Sequence, residues 1–138
     1  MTVLELAAQS VKVHEGLELK PYRCSAGKLT VGYGRNLEDV GISRAEAEML
    51  LERDLHQALS DARSLVSTFD AMNTVRQAVL VEMAFNLGKA RLSGFRNMLA
   101  ALDKHDYRRA AHDMLDSKWA VQVGTRATTL ARRMEAGV

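Results

Sequence analysis

A carboxylic acid, a thiol and a hydroxyl stand near one another at the front of this chain: Glu15, Cys24 and Thr30, with eight residues between the first pair and five between the second. Cleaving a bond by acid-base chemistry needs a proton delivered to the leaving atom. It also needs a group on the other face that directs water or attacks. Glu15 is the candidate acid, and Cys24 and Thr30 are the candidates for the second task. Taken singly, each has an ordinary explanation: a solvated helix-end carboxylate, a small half-polar side chain and a β-former. Only their spacing gives them a joint meaning.

Each of the three has its own physical chemistry. Glu15 falls at the C-terminal end of a predicted helix, where the negative end of the macrodipole disfavours ionisation and a basic neighbour would pull the other way. The Thr30 hydroxyl both donates and accepts, so it can hold a water. The run Thr30-Val-Gly32-Tyr33-Gly34 sets two glycines beside a strand, which points to close backbone approach to a neighbouring group or a substrate. A thiol with a pKa of about 8.5 is mostly neutral near neutrality, and the neighbouring Arg23 and Lys28 could lower it. Three roles for Cys24 stay open: a weak base or hydrogen-bond partner for water, a thiolate facing developing positive charge, or a nucleophile giving a transient glycosyl thioether.

Elements must position these groups. Val3, Leu4, Ala7, Ala8 and Val11 recur at helical spacing, and Gly16 is placed to end that first helix in a left-handed cap. From Leu17 to Leu37 short alternating runs are broken by Ser25-Ala-Gly27, the pattern of a small antiparallel hairpin or three-stranded sheet, with Cys24 ending one strand and Thr30 on the next. Ser43-Arg-Ala-Glu46 reads as a capping box opening a long helix to about Val66. Asp70 is positioned to cap a further helix carrying Val75, Val79, Met83 and Leu87 and stopping at Gly88. Ser93 to Leu102, Asp106 to Leu115 and Thr125 to Glu135 are shorter helical candidates. The fold class is therefore α+β and mainly α, with a small sheet-bearing lobe in front, a helical lobe behind and a crevice between them as the natural substrate site.

Composition sets the bounds. At 138 residues, 47% of them hydrophobic, the chain suits one compact domain, 1–138. A single cysteine excludes an intramolecular disulfide, and His14, His56, His105 and His112 share no ligand spacing, so neither a metal nor another cofactor is expected. The N-terminus has neither a basic leader nor an apolar stretch of signal or membrane-span length, which predicts a soluble protein made in a cytoplasm. Residues 1–88 carry 9 Lys and Arg against 12 Asp and Glu, and residues 89–138 carry 10 against 5. A basic half of this kind suits an anionic polymer.

The segment Glu15-x8-Cys24-x5-Thr30 resembles the Glu-x8-(Asp or Cys)-x5-Thr triad of the phage lysozymes of glycoside hydrolase family 24. The likeness extends to Thr-x-Gly-x-Gly at residues 30–34, Asn86-Leu-Gly88, Ser93-Gly-Phe95, Ser117-Lys-Trp119-Ala-Val-Gln122 and Arg126, so it runs from about residue 4 to about residue 133. Where the family usually follows the glycines with His, this chain has Arg35. The resemblance implies a two-lobed lysozyme-like fold, with residues of about 15–60 in the small lobe and residues 1–14 and about 61–138 in the helical lobe. It implies a water-directing role for the middle residue, a hydrogen bond from Arg126 to Glu15, and substrate support from Gly32, Tyr33, Phe95, Gln122 and Arg126. The activity implied is that of an endolysin: a monomeric muramidase cutting the β-1,4 bond between N-acetylmuramic acid and N-acetylglucosamine in peptidoglycan, made in the host bacterial cytoplasm and reaching the wall with the help of a holin. It would bind neither nucleic acid nor, stably, a membrane.

Other readings predict different dependences. A lytic transglycosylase would cut the same bond with Glu15 alone, making Cys24 and Thr30 dispensable. A non-catalytic wall-binding module would need only the basic half. A Cys-His hydrolase is disfavoured because no His follows a convincing strand. A helical DNA-binding protein is disfavoured because the basic residues are spread over several predicted elements.

Overall fold

The computed structural model describes all of residues 1–138 and contains eight α-helices and one three-stranded antiparallel sheet. It is mainly helical with a minor sheet, the class the periodicities predict. The chain divides into two compact units, Met1–Glu48 and Met49–Val138.

The first unit opens with α1 (Val3–Glu15), started by a reciprocal capping box in which the Thr2 hydroxyl accepts from the Glu5 N–H and the Glu5 carboxylate accepts from the Thr2 N–H. Gly16 ends the helix at φ 71° and ψ −179°, a positive-φ cap that only glycine adopts readily but whose ψ lies outside the left-handed helical region expected; its N–H still satisfies the Lys12 carbonyl at 3.1 Å. Strands β1 (Glu18–Arg23), β2 (Leu29–Gly32) and β3 (Arg35–Asn36) follow in sheet order β1-β2-β3. The register of β1 on β2 slips between Glu18 and Tyr22. Pro21 lies inside this irregular stretch of an edge strand, where a residue without an N–H does least harm.

Helix α2 (Arg44–Leu65) begins in the first unit and continues into the second. Its expected capping box is present: the Glu46 N–H donates to the Ser43 hydroxyl at 3.1 Å and the Ser43 N–H to Glu46 Oε1 at 2.9 Å. The rest of the second unit is α3 (Thr74–Leu87), α4 (Lys89–Ser93), α5 (Arg96–Asp103), α6 (Tyr107–Leu115), α7 (Lys118–Val123) and α8 (Thr125–Ala136). The buried apolar core lies entirely here, running from Ala58 to Met134 and built around Phe69, Leu80, Met83, Leu92, Leu102 and Met114.

Two further local expectations are corrected, and one helix was not anticipated. Asp70 does not cap α3: it sits in a 3-10 turn, Phe69–Ala71, and pairs with Arg63 at 3.0 Å. Asn73 is the cap, its side chain accepting from the Arg76 N–H while its backbone stays extended, as a cap requires. The expected helix from Ser93 to Leu102 is two helices broken at Gly94-Phe95, because Phe95 adopts φ −78° and ψ 59°. Residues 118–123 form a short helix of their own, capped by the Ser117 hydroxyl on the Ala120 N–H.

Candidate active site

The sheet of the first unit brings two of the three chemistry-bearing residues together. Cys24 follows the last residue of β1, and Tyr22 and Thr30 are register partners across β1 and β2. The turn from Cys24 to Lys28 is tied by Cys24 N–H to Lys28 C=O at 3.0 Å and Gly27 N–H to Cys24 C=O at 2.8 Å. That turn aims backbone donors at the thiol. The Lys28 N–H contributes most, followed by the Ala26 N–H, and together with the Thr30 hydroxyl they hold the Cys24 thiol below its ordinary value against the opposing effect of partial burial. The cationic side chains of Arg23 and Lys28, the neighbours first expected to do this, are engaged elsewhere: both pair with Glu38, at 3.1 and 3.6 Å, and Lys28 also meets Asp39.

Thr30 is buried, at 3% exposure, and its hydroxyl donates to the Lys28 carbonyl at 2.8 Å. With one proton shared between that carbonyl and the neighbouring sulfur, the hydroxyl is left with lone pairs to offer, so toward a water it is an acceptor.

Glu15 is the last residue of α1, and its carboxyl lies on the turn between β2 and β3. A Cβ built on Gly34 would stand 2.6 Å from Glu15 Oε2 and 2.8 Å from Cδ. Lys12, one turn back on α1, lies over the Tyr33 ring at 5.4 Å, so the last turn of α1 meets the same two-residue turn, Tyr33-Gly34, through two side chains. Gly32 has φ 70° and open space where a Cβ would be. The two glycines of Thr-x-Gly-x-Gly therefore differ: the one close approach is at Gly34, and the partner is the carboxyl of Glu15.

Arg35 closes the turn. Its Nη1 donates to Glu46 Oε1 at 2.9 Å and to the Gly41 carbonyl at 3.1 Å, fastening β3 to the start of α2. The guanidinium, followed by the Ser43 N–H, lowers the Glu46 pKa to about 2.

The remaining expected contacts lie in the second unit. The Phe95 and Trp119 rings meet edge to face with centroids 6.1 Å apart and line a cavity of about 340 Å³ with Arg91, Asp113 and Lys118. Trp119, 3% exposed, donates its indole N–H to Asn86 Oδ1 at 2.7 Å. Gln122 is exposed and accepts from Arg91 Nη2 at 3.4 Å. Arg126 uses Nε to pair with Glu82 at 2.8 Å, a partner that the spacing of the motifs did not indicate.

Residues 12–137 match the phage lysozyme family. The chain belongs to that family. With it goes the coarse activity of a glycoside hydrolase. Among similar proteins, this lysozyme-family chain is 29% identical to an endolysin of Acyrthosiphon pisum secondary endosymbiont phage 1, over 87% of the chain and 81% of that protein. It is 22% identical to a Dictyostelium discoideum protein named "Probable T4-type lysozyme 2", covering 92% of both. It is also 30% identical to the pre-baseplate central spike protein of Enterobacteria phage T4, over 88% of the chain and 26% of the spike protein.

The Gly34 contact, the backbone cradle of Cys24 and the Arg35–Glu46 tie were not among the expected site features. Only the first had a signal, the paired glycines after Thr30, and that signal named a close approach without naming what approaches.

Proposed function

We propose that this lysozyme-family protein is an endolysin-type muramidase that hydrolyses the β-1,4 bond between N-acetylmuramic acid and N-acetylglucosamine in peptidoglycan. Supporting this is the concentration of acid, thiol and hydroxyl in one sheet-bearing unit of a chain whose relatives include a phage endolysin. Glu15 protonates the glycosidic oxygen. A water attacks the anomeric carbon from the opposite face, accepted by the lone pairs of Thr30 and by Cys24, which takes the water's proton as the bond to the leaving sugar breaks. The backbone donors around Cys24 favour its thiolate, which makes it a competent base for that step. The product carries an inverted anomeric centre and no covalent intermediate forms.

Gly32 and Tyr33 are proposed to contact the glycan at the β2–β3 turn, and Phe95, Gln122 and Arg126 to support substrate from the helical unit. The reaction uses no cofactor and the protein acts as a monomer. Synthesis in the host cytoplasm and access to the wall through a holin complete the proposal. No helix is long and apolar enough to cross a membrane.

Product analysis tests the reading. Peptidoglycan digested by the purified protein should yield reducing ends whose first-formed anomer, followed by proton NMR, is inverted. Products lighter by one water would mean transglycosylation. If Glu15→Gln cleared chloroform-treated Gram-negative cells as fast as the wild type, Glu15 would not be the acid.

A further inference from the structure

The geometry points to Gly34 as a positioning residue for the acid: its bare α-carbon is the seat of the Glu15 carboxyl, and any side chain there must displace the acid, which already occupies that volume. This inference rests on the proposed role of Glu15.

Glycine at position 34 has an obvious explanation, since φ is 81° and such a turn disfavours any Cβ. That explanation is incomplete. Gly32, Gly27 and Gly41 share the same backbone region, and a Cβ on them would meet nothing closer than 4.0 Å. At Gly34 it would fall 2.6 Å from Oε2, 2.8 Å from Cδ and 3.2 Å from Cγ of Glu15, inside van der Waals contact with the whole end of the side chain. The obstructing group is the flexible end of a side chain and not backbone. A methyl group at 34 is therefore accommodated by moving the carboxyl, while the turn, held by Arg35 on Gly41 and Glu46, stays in place. A general acid moved by an ångström loses alignment with the leaving oxygen, whereas the groups that bind the glycan are untouched. The Lys12 contact on Tyr33 holds the helix end against the same turn, so the seat is built from both sides.

Three measurements test this. In the wild type, a nuclear Overhauser effect should connect the Gly34 α-protons with the Glu15 γ-protons; its absence would overturn the seat without any variant. In Gly34→Ala that contact is lost, and the chemical shift of the Glu15 carboxyl carbon, read by 13C NMR at a single fixed pH, should move. Its kcat on soluble peptidoglycan fragments should fall on the order of 100-fold with KM within about a factor of three. Gly41→Ala carries the same kind of backbone strain, at φ 67°, without the contact, and should leave the Glu15 carboxyl signal where it was. An unmoved carboxyl signal in Gly34→Ala, or an equal movement in Gly41→Ala, would sink the proposal. The Glu15 signals report on the seat whether or not the protein cuts peptidoglycan, so failure of the seat and failure of the muramidase reading are distinct results.

Discussion

At the scale of single residues, Cys24 is the informative position, because the chain has no other cysteine and its thiol can be read without interference. Backbone N–H groups of Lys28 and Ala26 stabilise the thiolate more than the thiol, so iodoacetamide should alkylate the native protein with a pH midpoint below the ordinary thiol value of about 8.5. Thr30→Val removes one of the donors and should raise that midpoint. A wild-type midpoint at the free-thiol value would mean that the cradle does not act on the sulfur. The same chemistry predicts activity: Cys24→Asp keeps a group that accepts the water's proton and should retain substantial clearing of cells, whereas Cys24→Ala should lose most of it. Full activity of the alanine variant would shift the reading to a transglycosylase working through Glu15 alone.

At the scale of elements, two arginines tie ends together. Arg35 joins β3 to the cap of α2 through Glu46. The Glu46 pKa is depressed in the folded protein, to about 2, so this tie contributes stability above the unfolded carboxyl value near 4.5 that is lost as pH falls through the folded value. Glu46→Gln should therefore flatten the dependence of stability on pH across that acid window, measured by urea titration at successive pH values; an unchanged slope would show that the pair is not formed in solution. Arg76 closes the other end of the chain. Its Nε and Nη2 donate to the Met134 and Glu135 carbonyls, both at 2.7 Å, at the end of α8, and its guanidinium lies 3.9 Å from the centre of the Tyr107 ring. Helix ends leave carbonyls without intrahelical partners, and a planar cation that caps two of them while stacking on an aromatic ring is hard to replace. Arg76→Ala should cost about 2 kcal/mol, with Arg76→Lys recovering only part, by chemical denaturation.

At the scale of the whole molecule, the buried core is confined to the Met49–Val138 unit, and the only tryptophan sits inside it at 3% exposure. Leu102 is completely buried there. Leu102→Ala should lose on the order of 3 kcal/mol and lower the melting midpoint followed by Trp119 fluorescence by on the order of 10 °C. A variant that melted like the wild type would contradict the packing described. Charge is also arranged at this scale. The excess of cations over residues 89–138 should make the clearing of anionic cell walls slower as ionic strength rises toward about 1 M, where screening reaches within about 3 Å.

Much of this was legible in the residue order alone. The triad spacing, the Thr-x-Gly-x-Gly run, the capping box at Ser43 and Glu46, and the helices of residues 106–115 and 125–135 are local signals. Each depends on contacts within a few positions, which sequence spacing specifies directly. Caps were read less well where two polar residues competed, as with Asp70 and Asn73, because the choice depends on which backbone is extended. What only the tertiary structure decided are the pairings between elements: the Glu15 carboxyl on Gly34, Arg35 on Glu46, Arg126 on Glu82 and Trp119 on Asn86. Spacing along a strand or helix says which residues share a face. Which atom of another element meets that face depends on how the elements pack, and the paired glycines announced a close approach whose partner, the acid itself, lay nineteen positions away at the end of a different element.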